Sequence, residues 1–265
     1  RAMAEAWEQD GDWLDLVRLY ENALKARRGE TDEVRGLLVR LGTVLYEKLG
    51  QGEAAEVHFA RVRKTEPGNR AMLDFYRAFH GERGEGAKLL SVLSQAQKVE
   101  TDPRRRYELA LEMAEIAEEQ AGNADKAIEL WKGILRAEPA SERAQAALKR
   151  LYVGAQKWNA LLELLKEQVE RIELPAEAGP ARDEAVGRRI SLLFEIVEIY
   201  QSRLSLDVMV VNTFNAILAL KPDHQQALAQ LAAKYEQMGR WNDLISVLGR
   251  TVEQTPDLHG KAALL

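Results

Sequence analysis

Residues 228–248 read LAQLAAKYEQMGRWNDLISVL, and residues 148–165 read LKRLYVGAQKWNALLELL. Trp158 and Trp241 lie 83 positions apart (241 − 158), and the apolar residues around them keep step while their polar neighbours change. In the later stretch Leu228, Leu231, Ala232 and Tyr235 fall at helical spacing, and the pattern restarts at Trp241, Leu244, Ile245 and Leu248. The spacing predicts a helix, a turn and a second helix. Gly239, between them, suits the left-handed conformation that ends a helix.

Working outward, the same punctuation recurs. Phe59, Trp131 and Phe214 are each followed eight residues later by Pro67, Pro139 and Pro222 (67 − 59 = 139 − 131 = 222 − 214). These prolines stop the second helix of a pair and let Asn69, Ser141 or Asp223 start the next. Trp158 and Trp241 each come nineteen residues after a proline (158 − 139 = 241 − 222), and Trp13 has the same neighbourhood. Nineteen residues after Pro67 stands Gly86, so this slot has lost its Trp, and a weaker or repacked module is expected around GERGEG at 81–86.

The set Leu231, Ala232, Tyr235, Gly239 and Trp241 resembles the first-helix half of the tetratricopeptide repeat, and Ala127, Trp131, Ile134 and Pro139 resemble its second-helix half, as do Ala55, Phe59, Val62 and Pro67. The two halves are strongest in alternating units, so the period is a doublet. Phe59 to Trp131 is 72 residues and Trp131 to Phe214 is 83; the eleven extra residues map to LPAEAGPARDE at 174–184. In the proline-ended units the gap between helices is one residue longer than the family's, as Tyr200 to Val210 shows beside Tyr235 to Leu244. The resemblance implies an all-α, right-handed α-solenoid of about seven antiparallel helix pairs, at about 1–28, 32–67, 69–99, 103–139, 141–173, 183–222 and 224–256. It implies one array, with a concave face lined by the first helix of each pair. The chain starts at Arg1 and stops in KAALL, with a curtailed first helix in the first unit, and reads as a piece of a longer array at both ends.

Composition narrows the function. The 265 residues are 46% hydrophobic, enough for a sizeable core, and contain no Cys, which removes disulfides and thiolate chemistry. A reducing, cytoplasmic setting is expected, although a leader could lie outside the sequence. No apolar run reaches the ~18–20 residues that span a bilayer. With 37 basic and 42 acidic residues the net charge is −5, opposite in sign to the usual footprint of a nucleic-acid binder. The basic groups, such as Arg104 to Arg106, alternate with acids and do not form a stripe. His58, His80, His224 and His259 have no metal-ligand spacing, and no phosphate-binding glycine loop is present. The expectation is therefore no catalysis, no metal, no cofactor and no small-molecule substrate.

The aromatics at 13, 59, 131, 158, 214 and 241 read as core between modules, and His80, in the slot of Tyr152 and Tyr235, as a packing histidine. Of Glu112, Glu115, Glu118 and Glu119, three at spacings of three and four could share a helix side, as a solvated face or as a seat for a basic segment. The family's Lys, Asn and Arg clamp for a C-terminal carboxylate is matched in charge by Arg150 alone: its slots hold Asp74 and Ala78, Ala146 and Arg150, Ala229 and Ala233. The inner face then comprises Thr43, Tyr46, Glu47, Arg77, Glu115, Glu118, Ala146, Arg150, Glu198, Gln201 and Gln230. The expected function is a scaffold or adaptor that holds a protein or peptide partner on that face. An architectural spacer and an RNA-binding array are the alternatives.

Overall fold

The structure, a computed structural model, describes residues 11–119 and 124–254. Among them the chain is all-α, thirteen α-helices packed in sequential pairs, as the resemblance implies. They are α1 Trp13–Lys25, α2 Asp32–Thr43, α3 Gly52–Thr65, α4 Arg70–Glu82, α5 Gly86–Val99, α6 Pro103–Glu119 and α7 Ala124–Ala137. There follow α8 Glu142–Gly154, α9 Trp158–Arg171, α10 Pro180–Ile199, α11 Asp207–Leu220, α12 Gln225–Gln237 and α13 Trp241–Gln254. Two compact units, 1–144 and 145–265, divide the chain. In the first, each helix from α1 to α7 packs on the next, and the first helices α2 and α4 also touch. In the second, α9 to α13 pack in the same sequential way. The curtailed first helix and KAALL lie outside the described residues.

The punctuation works through hydrogen bonds. Asn69 Oδ1 accepts from the Met72 amide at 3.1 Å and Ser141 Oγ from the Ala144 amide at 3.4 Å, each filling one orphan donor of the helix it starts. The third cap is His224, not Asp223: its Nδ1 accepts from the Ala227 amide at 3.3 Å. The reason is register, because the cap always stands two residues after the proline (69 − 67 = 141 − 139 = 224 − 222). Gly239 has φ +66° and ends α12 as expected; Gln156 and Ser205 take the same left-handed conformation at φ +54° and +53° between the two helices of their own pairs, without glycine's freedom.

The extra residue in the proline-ended units has a structural form. The first helix continues into a π-type turn at Val44–Lys48 after α2 and at Tyr200–Leu204 after α10, and such a turn absorbs one residue without breaking the helix. Within LPAEAGPARDE the structure departs from a plain insertion. Residues 180–184 are the first turn of α10, started by Pro180, whose fixed φ suits the first helical position. The rest is strapped down by Arg182, which donates to the Pro175 carbonyl at 2.5 Å, and by Arg189, which donates twice to the Ile172 carbonyl.

The aromatic slots divide in two. Phe59, Trp131 and Phe214 are 1–2% exposed and form the core of their pairs. The other set corrects the reading that all six are core: Trp13 and Trp158 are half-buried, and Trp241 is 60% exposed. A Trp at the start of a second helix is covered only by what the following pair brings, so its burial is not a property of its own pair. At Gly86 the slot is repacked. His80, 2% exposed and stacked on Tyr76, bonds through Nδ1 to Glu85 Oε2 at 2.8 Å, and Lys88 reaches Glu85 Oε1 at 2.6 Å. These two bonds, from Lys88 and from His80, hold the Glu85 carboxyl below its ordinary range.

Tyr76 itself is 1% exposed and its hydroxyl has no hydrogen-bond partner among the described residues. Burial pushes its phenol above the usual range. Because a buried hydroxyl without a partner costs about 1–3 kcal/mol, Tyr76→Phe should leave stability unchanged or raise it by up to ~1 kcal/mol. Urea denaturation checks this; a loss above about 1 kcal/mol would show that the hydroxyl is satisfied in solution.

Candidate functional site

In the first unit a groove of about 750 Å³ runs between α4 and α6, closed below by the end of α5. It follows from helical spacing. Arg70, Leu73, Asp74 and Arg77 line one wall at i, i+3, i+4 and i+7 of α4; Arg105, Glu108, Leu109 and Glu112 repeat that interval on α6. Leu73 and Leu109, buried, give it an apolar floor, with Ala96 of α5 between. Its rim carries five acids, Glu66, Asp74, Glu100, Glu108 and Glu112, against three arginines, so the groove favours cationic groups.

Arg77 crosses the groove. Its Nε and Nη2 donate to the two oxygens of Glu112 at 2.7 and 2.8 Å, and Nη1 donates to Asp74 at 2.8 Å. A forked pair of this geometry, half shielded from water, fixes the distance between two first helices better than a point charge does. Arg105 stands 3.5 Å from Glu100, and Arg35 reaches Glu66 at 3.2 Å. Glu108 and Arg70 are exposed and make no ion pair among the described residues.

The residues expected on the inner face are mostly used within the chain. Tyr46 donates from its hydroxyl to Glu82 at 3.3 Å and sets its ring edge on Phe75 at 5.1 Å; burial, then the Glu82 charge, push its phenol up. Glu115 pairs with Arg143, and Glu118 accepts from the Trp131 indole at 3.2 Å. Glu112, Glu115 and Glu118 of α6 are therefore each engaged by a side chain of this chain. Thr43, half-buried, ends α2, and Glu47, exposed, lies on the π turn that follows it. In the second unit Ala146 and Arg150 lie exposed on α8, Gln201 on the π turn and Gln230 on α12. Glu198 accepts from Ser202 at 2.7 Å and borders a groove of about 450 Å³ with Lys149, Trp158 and Arg203.

Of the eleven residues, Arg77 alone lines the α4–α6 groove. Glu108 and Leu109 were missed, and Glu112 was named only among the acids of its helix; the signal was present, because all three share the interval that places Arg70, Asp74 and Arg77 on α4. Among the described residues no group of three or more His, Asp or Glu side chains is placed to hold a metal ion, and no helix is long and apolar enough to cross a membrane.

No protein-family model matches this sequence, and no curated protein sequence matches it. The solved structures it matches include tetratricopeptide repeat proteins. One is a tetratricopeptide repeat protein from Parabacteroides merdae ATCC 43184, 12% identical, covering 100% of this chain and 95% of that one at a TM-score of 0.41. A second is Naa15/Naa10 bound to HypK-THB, 12% identical, covering 100% of this chain and 38% of that one at a TM-score of 0.49. A third is MamA, 18% identical, covering 72% and 93% at a TM-score of 0.38.

Proposed function

We propose that this chain is a non-catalytic scaffold that holds a peptide or helical segment of a protein partner between successive first helices. The observation that carries the reading is the α4–α6 groove: an apolar floor of Leu73 and Leu109 under a rim of net negative charge, held open at fixed width by the Arg77–Glu112 fork. An apolar floor supplies affinity for a side chain of the partner, and rim charges select its register and sign. A basic, amphipathic segment fits best, with its cations toward Glu108 and Asp74.

The test is a tagged capture from a lysate of the source cells, with a Glu108→Lys variant alongside. This side chain is exposed and unpaired among the described residues, so the variant should melt within ~0.5 kcal/mol of the parent. Glu115→Lys is a poorer choice because it would break the pair with Arg143. The scaffold reading expects a protein retained by the parent and weakened about tenfold or more by the variant. Nothing specific at low salt favours a spacer, and steeply salt-dependent retention of single-stranded RNA favours an RNA reader.

A further inference from the structure

Trp13, Trp158 and Trp241 each stand first in the second helix of a pair, and two of them are covered by the same device. Lys48 Nζ lies 5.4 Å from the ring centroid of Trp13, and the Arg203 guanidinium lies 5.0 Å from that of Trp158. Both cations ride on the π-type turn that ends the first helix of the following pair. Both also precede that pair's core aromatic by eleven residues (59 − 48 = 214 − 203). Where the Trp slot is Gly86, the residue eleven before Trp131 is Gln120, so in the sequence ring and cation are missing together. Position 120 itself lies outside the described residues. Trp241 holds the third ring, 60% exposed, with Ile245 one turn further along α13 at 67%.

We infer that the Trp241–Ile245 face of α13 is the seat of a further helix pair of the same polypeptide, whose first helix ends in a π turn bearing Lys or Arg. The occupant is visible twice in this molecule. α2 with Lys48 follows Trp13, and α10 with Arg203 follows Trp158, each placing a cation against an indole face, where the ring quadrupole attracts it. The same seat also covers the apolar side of a second helix, which a single pair cannot bury alone. A second copy of this chain is the less suitable occupant. Among the described residues α2 and α10 are the first helices that end in such a cation-bearing turn, and each already sits with its cation on its own Trp.

The test extends the chain with its own parts. A second copy of residues 172–222 is placed directly after Gln254, in place of residues 255–265. Because α9 and α13 are both 14 residues long, the appended arginine then comes 45 positions after Trp241, the interval from Trp158 to Arg203 (203 − 158). The added segment contains no Trp. Acrylamide quenching is assigned to Trp241 by difference from Trp241→Phe in both backgrounds. Docking should roughly halve the quenching of that ring and raise the melting midpoint by about 5 °C, as a new nearest-neighbour interface does in a repeat array. Arg203→Glu made only in the appended copy should restore much of the quenching. An extension that gains helix but leaves Trp241 fully quenched overturns the seat. So does one that gains no helix, since the same residues fold against Trp158 in place. Protection that survives the Arg203→Glu change overturns the role of the cation. Concentration-dependent protection of Trp241 in the unextended protein would assign the seat to a second copy instead.

Discussion

Trp131→Ala should lower the stability of the first unit by about 3–5 kcal/mol, while Trp241→Ala should cost under ~1 kcal/mol, although the sequence offers both as repeat-slot tryptophans. Trp131 is 2% exposed, at the centre of α7 where that helix packs on α6. Truncation removes the transfer free energy of an indole and leaves a cavity that the surrounding helices close only in part. It also strips Glu118 of the indole N–H that it accepts at 3.2 Å. Trp131→Phe separates these effects. The same slot holds Phe59 and Phe214 in the other proline-ended pairs, so the ring is accommodated, and the residual loss of about 1 kcal/mol measures the hydrogen bond plus the smaller ring. Urea unfolding followed by circular dichroism gives both numbers. Equal losses at Trp131 and Trp241 would mean that α13 is covered in solution.

The second large effect is a difference of sign within one helix. Gly42→Ala should destabilise by about 1–3 kcal/mol, whereas Gly36→Ala in the same helix should stabilise by ~0.5–1 kcal/mol. A Cβ at Gly42 would lie 2.7 Å from Phe59 Cε2, with two more ring atoms under 3.0 Å. That ring cannot step aside: it is 1% exposed and stacked on Phe75 at a centroid distance of 4.5 Å. The overlap must be relieved by moving α2 away from α3, which loosens contacts along both helices. At Gly36 an added Cβ meets nothing within 4 Å, so what remains is the helix propensity gained when glycine's excess freedom is removed from the unfolded chain. Phe59→Leu in the Gly42→Ala background should recover part of the loss, and the double-mutant cycle over these two positions should show coupling above ~0.5 kcal/mol. Additive losses would place the strain elsewhere.

These two cases show what could be read in advance. Gly42, Ala114 and Val197 share the slot seventeen residues before the core aromatic (59 − 42 = 131 − 114 = 214 − 197), and the need for a small residue at the first two was visible as a pattern. The π turns were visible too, as one residue too many between the helices of the proline-ended pairs. The groove was half visible. The interval that carries Arg77 also carries Glu112, but a spacing of 35 residues does not reveal that a guanidinium and a carboxylate will fork together.

The sequence by itself determined the helices, their pairing, the turns and the core aromatics Phe59, Trp131 and Phe214. All of these arise from neighbours within one pair, where helical period and the stop at proline fix the geometry. Tertiary structure alone decided which tryptophans are covered, which inner-face charges are used up as cross-links and where a groove stays open. Trp13, Trp158 and Trp241 differ in exposure because Lys48 and Arg203 arrive from the following pair, and no described residue brings a cation to Trp241. Glu115, read as a candidate contact, is occupied because Arg143 belongs to the next helix pair. Contacts between pairs depend on how two helical faces meet across tens of residues, and periodicity within one pair carries no record of that meeting.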